Sequence, residues 1–229
     1  CWVGGAVYSQ VMVFKAGAVH PPASLADFFD TKKFPGKRAL SRAAPKFNLE
    51  MALLADGVAP ADVYKTLGTP EGLDRAFAKL TALKPIWAHD SVGALGWIKN
   101  GQAVMATALG GDVQAQKDFT AGVIWDHQLY EMDVFGIPAG DPKKKAALDF
   151  IAFATGSAPL AGVASWVGLG PARHSSLALV KLNPETGADM RPLLPTAPQN
   201  FHGAFAIDET WWLDHGEAIT PRWQEFVSR

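Results

Sequence analysis

An α/β fold is predicted by three observations on the sequence. Short apolar, β-rich runs alternate with segments of helical period along the chain. One such run, residues 103–109, ends at Gly110-Gly111, a sharp turn that leaves Asp112 at the mouth of the next helix. A second run, Ala6 to Phe14 (AVYSQVMVF), alternates only in part, as a strand covered on at least one face does. In such sheets ligands sit at the carboxyl ends of strands, where Asp112 falls. Asp133 follows 21 residues later, inside the apolar frame Met132, Val134, Phe135 and Ile137. Two carboxylates on either side of one crossover read as a ligand cradle.

The elements follow in order. Pro21-Pro22 ends the first strand, and Ser24 caps a short helix, LADFFD. A loop with a turn at Pro35-Gly36 leads to a strand at Arg38-Ala39-Leu40-Ser41. Lys32, Lys33, Lys37, Arg38 and Arg42 form a basic cluster, read as a solvated rim. A helix opens at Pro45 and runs through Ala55, with Leu49, Ala52 and Leu53 on one face and Gly57 placed to end it. Another starts at Thr69-Pro70, where Leu73, Phe77 and Leu80 make an apolar stripe at i, i+4 and i+7. Ser91 is expected to cap a third, ahead of strand 103–109. Asp141-Pro142 opens a helix that turns Leu148, Ile151 and Ala154 inward, and Ser157 and Pro159 start the next. Residues 181–200 form a proline-rich connection, and two helices are expected around Trp211-Trp212 and Thr220 to Trp223.

Composition narrows the function. The 229 residues suffice for one large or two small domains with a sizeable core. A net charge of −1 argues against nucleic acid as the main partner. Eight tryptophans suit pockets for flat or amphipathic ligands as well as cores. The single cysteine, Cys1, excludes an internal disulfide framework; it is either a lipidated first residue or an internal cysteine parted from its neighbours. CWVGGAVYSQ has no signal-peptide pattern. Residues 150–172 are uncharged and long enough to span a bilayer, but Gly156, Pro159, Gly162, Gly168 and Gly170 interrupt them, which predicts two short buried helices instead of a membrane span.

PASLADFFDTKKFPGKRAL, LEMALLADGVAP, VIWDHQLYEMDVFGIPAG, the GPA after Leu169 and the closing WWLDHGEAITPRW together resemble the polyamine-type solute-binding proteins of bacterial ABC importers, related to spermidine- and putrescine-binding proteins. The resemblance covers essentially the whole chain. It implies a periplasmic-binding-protein-like, two-lobed α/β fold with crossing hinge strands and the ligand between the lobes. Residues 1–16 and 133–178 would belong to the first lobe, and residues 17–132 and 179–229 to the second. The first lobe would then be incomplete, with the signal peptide and an earlier segment absent and Cys1 internal. The implied protein is a monomeric periplasmic receptor that delivers a small solute to a membrane permease, without enzymatic activity, cofactor or metal.

The same resemblance implies the pocket. Relatives sandwich an alkyl chain between aromatic rings and pair each ammonium with a carboxylate, since an unpaired charge in a closed cleft is strongly penalised. Asp133 matches the carboxylate before the return strand, and Asp112 one that some relatives carry. Tyr130 and Glu131 occupy the place of an aromatic, and Trp87 to Ser91, with Asp90, matches another pocket-lining stretch. Three departures stand out: Leu109 and Leu169 replace aromatics, and Lys46 and Phe47 lie where those relatives have acidic residues. A pocket with fewer rings and an added cation fits a bulkier, less cationic or zwitterionic solute.

Other chemistries are weaker. His89, Asp90 and Ser91 hold the letters of a hydrolase triad, but consecutive residues rarely converge and there is no G-x-S-x-G elbow. Asp126, His127, Glu131 and Asp133 offer the donors an iron receptor would use, at a spacing that fits no recognised ligand pattern. Gly168-x-Gly170 precedes Pro171 and is no dinucleotide fingerprint.

Overall fold

The computed structural model describes residues 2–17, 19–116 and 120–228, so Cys1 and its two readings lie outside the described residues. Its strands are β1 (Trp2–Lys15), β2 (Arg38–Ser41), β3 (Ile86–Ala88), β4 (Met105–Leu109), β5 (Ala121–Gly136), β6 (Gly170–Pro171) and β7 (Phe205–Ala206). Its helices are α1 (Leu25–Phe29), α2 (Asn48–Ala55), α3 (Val63–Leu67), α4 (Pro70–Leu83), α5 (Ser91–Lys99), α6 (Gly110–Gln114), α7 (Lys144–Ala154), α8 (Ser157–Trp166), α9 (His174–Leu177), α10 (Pro198–Phe201) and α11 (Glu209–Val227). The strands form one mixed sheet in the order β3-β2-β4-β1-β5-β7, with β6 also on β1.

Side-chain alternation along β1 feeds two cores, because successive residues of a strand point to opposite faces. Met12 joins Leu40, Met105, Ile124 and Leu129 under α2, α4 and α11. Val11 and Val13 join Ala39, Ala106 and Ala108 under α5. β1 and β5 pair antiparallel almost end to end, with register shifts at Gly4/Ala6 and Gln10/Met12. The second shift accommodates residues 125–128 of β5, where His127 takes a φ of 51°. The polar stretch after Ile124 is therefore a bulge within one long strand.

Several sequence expectations carry over directly. Ser24 and Thr69 cap α1 and α4 by accepting from Asp27 and Gly72 N–H groups. Gly36 has φ 126°, and a Cβ there would meet Val104 Cγ1 at 2.5 Å, so the turn requires glycine twice over. Others are corrected. Asp90, not Ser91, caps α5, accepting from Gly93 N–H at 2.8 Å, while Ser91 Oγ accepts from Leu109 N–H at 2.7 Å. The last two helices are one, α11, with Pro221 inside it. The 181–200 connection packs its own core, Val180, Met190, Leu194 and Ala197 against Ala161 and Ala164 of α8.

Arg38 leaves the basic rim altogether. It is fully buried and donates to the carbonyls of Phe28 (2.8 Å), Phe34 (2.6 Å), Gly36 (2.7 Å) and Asp30 (3.1 Å), closing the α1–β2 loop around one guanidinium. Arg38→Met orphans these carbonyls and is expected to cost about 3 kcal/mol or more. Urea denaturation reads this directly, and a loss below about 1 kcal/mol would show the carbonyls finding water.

Helix α8 is buried as expected, through Leu160, Ala161, Ala164 and Ser165, whereas α7 is a second correction. No residue of α7 is buried: Leu148 is 50% exposed, Phe150 58% and Phe153 69%. On that face Phe150 meets the Phe135 ring of β5 edge-on, with centroids 6.0 Å apart. The two helices bend 67° at their junction, and no single described helix is long and apolar enough to cross a membrane.

Candidate functional site

The site grows from the register of β1 and β5. Tyr8 stands opposite Glu131, and Ala6 opposite Asp133. A period of two places Tyr8 and Glu131 on the same sheet face as Met12 and Leu129, where that face runs out of the first core. Here the Tyr8 hydroxyl donates to Glu131 Oε2. Leu109, opposite Gln10 at the end of β4, flanks the same face.

Two backbone arms complete it. Asn48 Nδ2 donates to the carbonyls of Ser41 (3.1 Å) and Ala44 (2.9 Å), folding residues 42–47 back over the end of β2. Phe47, with φ 71°, then enters α2. Asp208 caps α11, accepting from Trp211 N–H at 3.0 Å, and sets Glu209 in the first turn. Lys46 Nζ lies between the two arms and the sheet. It is ion-paired with Glu131 Oε1, sits 2.8 Å from Glu209 Oε1 and lies 5.6 Å from the Phe47 ring centroid.

The electrostatics follow from burial. Glu131 is only 5% exposed. Burial first, then Glu209 and Asp133 nearby, push its carboxyl well above the usual carboxylate range. Glu209, more open to solvent, moves the other way, chiefly through hydrogen bonding with Glu131 and then with Lys46. Two carboxyls thus share one ammonium and divide their protons unequally, a pattern suited to exchanging partners with a charged solute.

Of the residues predicted from sequence, Glu131 lies in this cluster and Phe47 borders it. Asp133 and Leu169 come together elsewhere: with Phe135, Phe150 and Phe153 they line an apolar cavity of about 630 Å³. Asp112 is not an N-cap; it lies in the first turn of α6, whose first residue, Gly110, abuts the carbonyls of Ser9 and Gly168. Three residues are used otherwise. Tyr130 points to the opposite face and packs on Phe201, centroids 4.9 Å apart. Trp87 meets Trp223 and Phe226 edge-on in the first core. Asp90 caps α5 on the exterior. Tyr8 and Glu209 went unforeseen: alternation from Met12 would have aimed Tyr8 correctly, but nothing local ties Glu209 to Lys46 across 163 residues.

The competing chemistries gain no geometry. His89 Nδ1 lies 3.2 Å from Asp90 Oδ2, but Ser91 Oγ is engaged by Leu109 N–H and makes no bond to His89, so no triad is assembled. Asp126 accepts from Leu25 N–H at 2.8 Å, away from Glu131, and among the described residues no three His, Cys, Asp or Glu are grouped to hold a metal.

Comparison with known proteins adds family evidence. Residues 2–191 match the family described as bacterial extracellular solute-binding protein. The gamma-aminobutyric acid-binding protein of Pseudomonas aeruginosa is 39% identical over 234 aligned positions, which take in 100% of this chain; the chain spans 64% of that relative's length. Among solved structures, the periplasmic binding protein MotA of A. tumefaciens B6 in complex with glucopine aligns with TM-score 0.79 and 28% identity, over 99% of this chain and 71% of its own. A GABA receptor structure aligns with TM-score 0.77 and 30% identity, over 99% and 68%.

Proposed function

Because the chain belongs to the bacterial extracellular solute-binding protein family, we propose that it is part of the periplasmic receptor of an ABC importer, and that its solute is a small amino-carboxylate such as γ-aminobutyrate. One observation carries the choice of solute: Lys46 lies among Glu131 and Glu209 where β1 meets β5. A zwitterion exchanges partners with this cluster and leaves each charge paired. Its carboxylate takes Lys46, and its ammonium takes the acid that Lys46 releases, with Asp133 two residues along β5. A linear diamine brings two cations to a site that already holds one, without the rings that Leu109 and Leu169 replace. The gamma-aminobutyric acid-binding relative supports the same reading.

In this reading residues 1–16 and 133–178 contribute to one lobe, residues 17–132 and 179–229 form the other, and β1 and β5 are the crossing hinge. Solute contacts from both sides favour the closed form, which a membrane permease recognises; no bond is made or broken. Asp112, at the β4–α6 turn, belongs to the second lobe's rim. Isothermal titration is expected to show γ-aminobutyrate binding at least about tenfold more tightly than putrescine, a difference of about 1.4 kcal/mol. Micromolar spermidine or putrescine binding with no response to γ-aminobutyrate would return the site to the polyamine class.

A further inference from the structure

We infer that Glu50 is a positioning residue: from inside the core it fixes the two arms that carry Lys46 and Glu209. Glu50 lies on α2, fully buried between the apolar Leu49 and Met51. A carboxyl there is costly unless its oxygens are engaged. Trp212 Nε1 donates to Oε1 at 2.6 Å, and the Tyr64 hydroxyl donates to the same atom at 3.1 Å. That hydroxyl in turn accepts from the Asp208 N–H at 2.8 Å. One acid therefore reaches α2, α3, α11 and the peptide that caps α11.

The arrangement is aligned with the site. Glu50 follows Lys46 by four residues, and Trp212 follows Glu209 by three. The Lys46–Glu209 pair and the Glu50–Trp212 bond are thus two crossbars between the same two arms. The outer crossbar is solvent-facing, with Glu209 57% exposed, and such pairs hold little by themselves. The inner one is dry. A leucine at position 50 would satisfy the core but leave the spacing of the arms to that outer pair alone.

The inference rests on the proposed site for its functional meaning, but its first test needs no solute. Lys46 acetylation by acetic anhydride, followed by mass spectrometry, reports how firmly its ammonium is held. Tyr64→Phe removes the hydroxyl linking Glu50 to Asp208 and is expected to raise Lys46 reactivity about fivefold, the effect of one lost hydrogen bond, with exposed Lys145 unchanged. Leu80→Ala, a destabilising change in the core beneath α4, is expected to leave Lys46 unchanged. Equal Lys46 reactivity in wild type and Tyr64→Phe, or an equal rise in Leu80→Ala, overturns the inference. The second test is the γ-aminobutyrate Kd. Tyr64→Phe is expected to weaken it about fivefold in the wild-type background and less than about twofold in Lys46→Met, since coupled residues are not additive. Equal weakening in both backgrounds means that Glu50 and Tyr64 do not act through Lys46. A Kd indifferent to Lys46→Met, with the acetylation result intact, would refute the proposed site and leave the positioning of Lys46 standing.

Discussion

Lys46→Glu is expected to lower γ-aminobutyrate affinity by at least about 100-fold and to create affinity for putrescine. Removing one partner of a desolvated charge pair costs on the order of 2–5 kcal/mol, and reversing its sign adds repulsion to the loss. The wild-type cluster sets one ammonium against Glu131, Glu209 and, farther along β5, Asp133. With glutamate at position 46, the solute carboxylate meets only acids, whereas a diamine finds a carboxylate for each end. Lys46→Met separates the two halves of the prediction: it should weaken γ-aminobutyrate binding, to a Kd still within reach of titration, without gaining putrescine. Titration of the three proteins with both solutes decides it. A Lys46→Glu protein that still binds γ-aminobutyrate within tenfold of wild type would mean that the solute carboxylate is held elsewhere.

Stability is expected to fall by about 3 kcal/mol between pH 4.5 and pH above 7 on account of Glu50 alone. Burial pushes its carboxyl up from 4.5 to about 7, against the opposing bonds from Trp212 and Tyr64. The sign follows from proton binding. Below pH 4.5 the group is protonated folded and unfolded, and its contribution is fully present. Between the two values the folded chain holds a proton that the unfolded chain releases, so stability declines as pH rises, until above pH 7 the folded chain carries a buried carboxylate beside Tyr64, Trp212 and the Asp208 peptide. Glu131, also shifted upward, adds a decline of the same sign, so the informative quantity is the difference between wild type and Glu50→Gln. Urea titrations at pH 5, 6, 7 and 8 should show the wild type losing ground steadily against that variant. Parallel curves would place the Glu50 proton in water's reach. The test also bears on function, because the group that titrates is the inner crossbar behind Lys46.

The local parts of the molecule were readable from the chain because their causes are local. Ser24 and Thr69 announce helix starts through side chains that reach three residues forward, and Pro35-Gly36 announces a turn only glycine can make. The stripe of Leu73, Phe77 and Leu80 needs only the helical period to point inward. Family likeness supplied the crossing strands and the candidate positions along β5. Misreadings came where a residue's partner is distant. Arg38 looked solvated beside four other basic residues, yet four carbonyls gathered by the α1–β2 loop make its burial tolerable. Trp87 and Tyr130 looked like pocket rings, but α11 and α10 bring Trp223 and Phe201 against them.

Sequence by itself determined the α/β class, most element starts and the presence of acids around one crossover, since propensity, capping and periodicity act within a few residues. Only the tertiary structure decided which acids meet. Glu131 and Glu209 lie 78 residues apart in the chain, and Lys46 reaches both because the loop after β2 and the first turn of α11 meet at β5. The carboxyls change their proton affinity for the same reason: burial and a neighbouring charge are properties of the assembled fold, and no local window of residues contains them.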